Sequence, residues 1–231
     1  MGGMRRASLA VLLAALAGCA SHAPLAGAWP EPYVQRLGAQ ALLQQLNAEL
    51  LSHDSATTTL ERWCAGQHLA DVPRIRAVRD PGTERPAEPD VRRALQAGDA
   101  EPLRYRHVQL LCGDAVLSEA ENWYVPARLT AAMNAELERS DAPFGRVVQP
   151  LGFQRRTLAV ELPWQPLPAD WSSRPYALAR EPSPLDMPAV VLVHRAVLTR
   201  ADGLPFSYVV ERYRREALAR AAGIHRRGAS L

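Results

Sequence analysis

The sequence predicts an α+β domain built on one antiparallel sheet, and three features carry that prediction. An N-terminal stretch has helical periodicity, a central stretch reads as a hairpin of two long strands, and the chain closes with two more strands around a tight turn. A chain of 231 residues, 48% hydrophobic and 22% charged, is globular and long enough for one good-sized core.

In chain order, residues 33–51, "YVQRLGAQALLQQLNAELL", place Leu37, Ala41, Leu42, Leu46 and Leu50 near one helical face. "HDSATTTLERW" follows, with Asp54, Ser55 or a Thr as N-cap of a second helix and Glu61 in its first turn. Residues 79–102, rich in Pro, Arg, Asp and Glu, read as a loop. Strands are expected over 103–111 and 116–125, joined by "CGDA", and a helix starts after Pro126. "DAPFGRVV" reads as a turn and 153–162 as a strand. Residues 163–188 carry seven Pro and form an irregular excursion. Strands over "AVVLVHRAVLT" and "LPFSYVVERY" complete the order, with no internal repeat.

The N-terminus reads as a secretory leader, either of a lipoprotein or of a soluble secreted protein with a Cys near its cleavage site. "MGGMRRASLAVLLAALAGCA" has a basic start, an apolar run from Leu9 to Leu16 and small residues at a cleavage region. That run is shorter than the ~20 residues a membrane-spanning helix needs. "LAGC" resembles the lipobox of bacterial lipoproteins, which would make residues 1–18 a signal peptide and Cys19 the lipidated first residue. Ala20 after it resembles the pattern sent on to the outer membrane. Residues 19–30 then form a tether, residues 31–231 the domain, and the membrane a partner through the acylated N-terminus. In such an oxidising compartment Cys64 and Cys112 are either one disulfide or two buried thiols.

All 27 basic residues are Arg, which favours fork-shaped recognition of carboxylates or phosphates wherever one is buried. The net charge of +3 falls to +1 without Arg5 and Arg6, which argues against nucleic acid as a partner. The basic tail "RYRREALARAAGIHRRGASL" reads as a solvated helix end, with contact to anionic lipid as the alternative.

Familiar catalytic signatures are missing. The sequence has no nucleophile elbow, no Gly-rich phosphate loop, no Cys-x-x-Cys, and six His without metal-ligand spacing. His194, inside a Val-rich strand, reads as a core or surface histidine. The strands say more. Alternation puts Arg104, Arg106, Val108 and Leu110 on one face, and Ser207, Val209, Glu211 and Tyr213 on one face of the last strand. A buried Arg106 needs an anionic partner. Either Arg106 and Glu211 form an internal pair or edge charges, or a ligand lies between them, its carboxylate on the Arg and its hydroxyl on the Glu.

The ordered pieces "LLCGDAVLSEAENWYVPARLT", "APFGRVVQPLGFQRRTL" and "HRAVLTRADGLPFSYVVERY" resemble chorismate–pyruvate lyase. More distantly they resemble the effector-binding domains of some transcription regulators that share its fold. The resemblance covers residues 40–160 and 190–215. It implies about six antiparallel strands with flanking helices around an aromatic-acid pocket. It also implies conversion of chorismate to 4-hydroxybenzoate and pyruvate without a cofactor or metal. On that resemblance Arg106 holds the aromatic carboxylate, with Phe144 and Gly145 of a Pro-Phe-Gly turn beside it. Arg155 or Arg156 follows on the next strand, and we assign Arg156. Glu211 lies at the hydroxyl end, and Ser55, Ala56 and Thr57 match an early Ser-Met-Thr turn without its Met. A non-catalytic envelope protein that binds or senses small aromatic acids would keep nearly the same residues.

Overall fold

The computed structural model describes residues 31–80, 82, 84–173 and 185–218. The leader, Cys19, the tether, the middle of the Pro-rich excursion and the end of the basic tail lie outside the described residues.

Six strands form one antiparallel sheet: β1 (Ile75–Asp80), β2 (Arg104–Cys112), β3 (Ala115–Tyr124), β4 (Gln154–Glu161), β5 (Val190–Thr199) and β6 (Pro205–Arg214). Their order across the sheet is β1-β2-β3-β6-β5-β4, which leaves β1 and β4 at the edges. Among the described residues five α-helices flank it: α1 (Glu31–Leu51), α2 (Ala56–Gly66), α3 (Pro89–Ala94), α4 (Ala131–Arg139) and α5 (Phe144–Val147). Five of the strands and the hairpin arise where alternation and turn chemistry place them. Gly113, in the β2–β3 turn, has φ +58°, a conformation that favours a residue without Cβ.

The inner face of the sheet carries the main core. Leu43, Leu46 and Leu50 of α1 and Leu60 and Trp63 of α2 pack there on Val108, Leu110, Val209 and Tyr213. A second cluster at one end joins Leu137 of α4 to Tyr124, Phe153 and Phe206. The outer face is covered in part by α3, whose Val91 packs with Leu95 on Trp123, Val193 and Val210. The Cys64–Cys112 disulfide ties α2 to the end of β2.

Several expectations are corrected. The 79–102 stretch is not one loop: β1 ends in it, and α3 forms within it because Val91 and Leu95 bury against the outer face. Its polar composition hid a two-residue apolar anchor. The buried stripe of α1 runs through Ala39, Leu43, Leu46 and Leu50, whereas Ala41 is exposed and Leu37 and Leu42 are half-buried. Adjacent leucines at 42 and 43 make either phase plausible from spacing alone. Ser55 caps α2 by accepting from the Thr58 N–H at 3.3 Å, so Glu61 stands mid-helix and pairs with Arg146 at 3.0 Å. The turn expected over 141–148 contains the short helix α5. The Pro-rich excursion returns to the core at both ends, where Trp164, Leu167 and Met187 are buried and the Trp164 indole donates to the Asp186 carbonyl at 2.9 Å.

Candidate functional site

The inner face between β2 and β4 encloses a cavity roofed by the start of α2 and by α5. Its walls include Arg106, Val108, Asn122, Val209 and Glu211 from the sheet, Ala56 and Thr57 from α2, and Phe144 and Gly145 from α5. It is small, about 50 Å³. One enclosed water needs ~10–15 Å³ by that measure, so the space is that of about three to five waters, which excludes a ligand of more than one ring. Gly145 is what lets the roof close: a Cβ there would stand 3.1 Å from both the Ser55 and Thr57 hydroxyl oxygens.

Register explains how the charged residues meet. Arg106 is opposite Asn122, which is opposite Val209, and Glu211 lies two residues further along β6. Two strand spacings and two residues separate the Cα atoms of Arg106 and Glu211 by roughly 12 Å. They lie at opposite ends of the cavity, so the direct Arg106–Glu211 pair does not form.

Arg106 is 4% exposed. Its Nη2 donates to the Ala142 carbonyl at 2.9 Å and reaches the Ser140 carbonyl at 3.4 Å. Nε and Nη1 are buried without a hydrogen-bond partner, and among the described residues no carboxylate is bonded to the guanidinium. Burial, then the positive charge of Arg79, pulls its pKa down, partly offset by Tyr124 and Asp141. Arg106 also lines an open outer cleft of about 530 Å³ with Arg79, Arg85, Arg104, Tyr105 and Trp123.

At the other end Arg155 Nη2 donates to Glu211 Oε2 at 2.5 Å, and the two side chains are only 3% and 7% exposed. The Tyr213 hydroxyl donates to the same oxygen at 2.9 Å. Burial lowers the Arg155 pKa, but the Glu211 carboxylate and Tyr213 outweigh it, and the net direction is upward. Behind this pair His194, opposite Glu211 on β5, is fully buried, with Nε2 2.8 Å from Asn47 Oδ1 of α1. Burial pushes its pKa down to about 4; Glu211 opposes that direction and Arg155 reinforces it.

Of the residues assigned from sequence, the cavity brings together Arg106, Glu211, Phe144, Gly145 and Ala56. Arg156 is not among them. It is exposed on the outer face of β4, and the inward position belongs to Arg155. Asn122 and Phe153 also line the cavity and were not assigned from sequence. Period-two alternation in β3 places Asn122 on the inner face with Ala120, whereas Glu121 faces outward to Arg85, Arg212 and Tyr105.

No family model matches the chain. Its fold is partly similar to solved structures of low identity. The effector domain of PhnF from Mycobacterium smegmatis is 13% identical, with a TM-score of 0.44 over 70% of this chain and 88% of that one. The possible transcriptional regulator YydK from Bacillus subtilis is 16% identical, with a TM-score of 0.39 over 62% of this chain and 58% of that one. The effector-binding domain of the B. subtilis trehalose repressor is 13% identical, with a TM-score of 0.36 over 68% and 96%. Nothing about the site follows from these partial likenesses. A much nearer relative in sequence is uncharacterized protein y4mC of Sinorhizobium fredii (strain NBRC 101917 / NGR234), 48% identical over 191 residues. With 82% of this chain and 81% of that protein aligned at such identity, the chain belongs to the y4mC family.

Proposed function

We propose that the domain binds a small, single-ring carboxylic acid in the inner cavity. One observation carries this reading: the buried Arg106 guanidinium lines an otherwise largely apolar cavity with two N–H-bearing nitrogens left without partners. A buried cation left that way is costly, and a carboxylate accepting from its fork would satisfy both the charge and the donors. Phe144 and Phe153 supply apolar walls for a ring, and the volume limits the ligand to one. We also propose that the domain stands at the cell envelope on a lipidated Cys19. The lipobox-like leader supports this, and so does a disulfide of a kind that persists in oxidising compartments.

A second reading, chorismate–pyruvate lyase activity, uses the same walls. Glu211 at the far end from Arg106 favours it, because elimination from chorismate chiefly needs the substrate oriented between such groups. Incubating the mature domain with chorismate while following 4-hydroxybenzoate and pyruvate separates the two. Binding of 4-hydroxybenzoate without turnover is the expected result; stoichiometric release of both products above the spontaneous rate establishes the lyase instead.

A further inference from the structure

Glu211 is held from behind. Both of its protein hydrogen bonds end on Oε2, from Arg155 at 2.5 Å and from the Tyr213 hydroxyl at 2.9 Å. No bond to Oε1 is found among the described residues, and Glu211 lines the cavity. Tyr213 does not line it: its side chain is fully buried in the core, edge-on to His194 at 5.4 Å between ring centroids. Burial first, then Glu211, raises the Tyr213 pKa well above its ordinary value, which keeps the phenol a hydrogen-bond donor. His194 is fixed in turn by Asn47 of α1 at 2.8 Å.

We infer that Tyr213 is a positioning residue: with Arg155 it commits Glu211 Oε2 and turns Oε1 to the cavity as a fixed acceptor, so that the site selects acids carrying a hydrogen-bond donor opposite the carboxylate. The para hydroxyl that the resemblance already implies at Glu211 would meet such an acceptor, and a para amino group would as well. A para methoxy group, with oxygen lone pairs and no proton to give, is refused because it would set acceptor against acceptor. The inference rests on the carboxylate-binding reading of the same cavity.

The test is a set of calorimetric titrations with benzoate, 4-hydroxybenzoate, 4-aminobenzoate and 4-methoxybenzoate, on the wild type and on Tyr213→Phe. The Phe ring fills the same space and leaves the cavity lining untouched. In the wild type the hydroxy and amino acids should bind at least about tenfold more tightly than benzoate, with the methoxy acid weakest; tenfold corresponds to ~1.4 kcal/mol. In Tyr213→Phe the benzoate affinity should hold while the donor preference shrinks about tenfold. A purely structural role would weaken all four acids together, and that result overturns the inference, as does an unchanged preference in the variant. If Tyr213→Phe does not fold, the wild-type series still decides: no preference for donors over methoxy refutes it. Failure of every acid to bind the wild type would refute the carboxylate site itself, a distinct outcome.

Discussion

Arg155 and Arg156 show what one residue of register decides. In "QRRTLAVE" Arg156 shares its alternation with Leu158 and Val160, and a face carrying two aliphatic side chains reads from sequence as the buried one. On the edge strand β4 those residues are 40% and 39% exposed, so the apolar-looking face is the outer one. The sequence rule fails there because one-sided burial is weakly enforced at a sheet edge. Arg155→Ala should therefore destabilise the fold by several kcal/mol, since it leaves Glu211 buried and unpaired. Arg156→Ala should leave both melting temperature and ligand affinity within error, which thermal melts and titrations check side by side. By contrast, the inward placement of Arg106 and Glu211 was legible, because on β2 and β6 the apolar neighbours that share their alternation do point inward.

His194 gives the residue scale a pH dependence. Its pKa is about 4 in the fold against an ordinary 6.5, so the unfolded chain binds the proton more readily between those values. Stability from this group is therefore complete above pH ~6.5 and is lost as pH falls toward ~4, by up to roughly 3 kcal/mol. The groups facing it are Glu211, Arg155 and Tyr213, with Asn47 on its Nε2. Melts of the wild type between pH 7 and pH 4 should fall more steeply than those of His194→Gln. Parallel curves would show that this histidine does not titrate on unfolding.

Among the elements, α2 has two duties joined by the chain between them. Its start, Ser55 to Thr57, forms part of the cavity wall, and its Cys64 is bonded to Cys112 at the end of β2. The disulfide closes a loop with a sequence separation of 48, for which chain entropy alone gives about 4 kcal/mol. A Cys64→Ser/Cys112→Ser double variant should melt well below the wild type, and reductant should lower the wild type toward it. A melt that neither substitution nor reductant moves would mean the bond contributes nothing to stability. Sequence left this pairing open because two cysteines carry no distance information, whereas their positions on a helix and a strand end do. The short elements β1 and α3 were missed for a related reason: α3 has too few residues to show a helical period, and β1 buries only Ile75 and Ala77.

Across the whole molecule, one sheet with a helical layer on its inner face puts the cavity between layers, where loops and helix starts can vary without disturbing the strands. That arrangement was legible from element order. Phe144 and Gly145 of α5 were reached only through the resemblance, and the wall supplied by Phe153 was not reached at all, because it depends on how the chain folds back over the sheet. The lipid-anchored placement proposed from the leader has its own test. Wild-type protein grown with labelled palmitate should carry the label and sediment with membranes, and Cys19→Ala should lose both. Unlabelled wild type would exclude the anchor and leave the cavity argument standing.

The central claim is that Arg106 waits for a carboxylate, and its clearest trial compares wild type with Arg106→Met by calorimetric titration with benzoate alongside thermal melts. Removing a charge-assisted contact worth about 1.5–3 kcal/mol should weaken binding at least tenfold. Because the variant also removes an uncompensated buried cation, its melting temperature should stay level or rise. Loss of affinity with a steady or higher melting temperature is the result the structure predicts; benzoate affinity unchanged in Arg106→Met, or a melt several degrees lower, would contradict it.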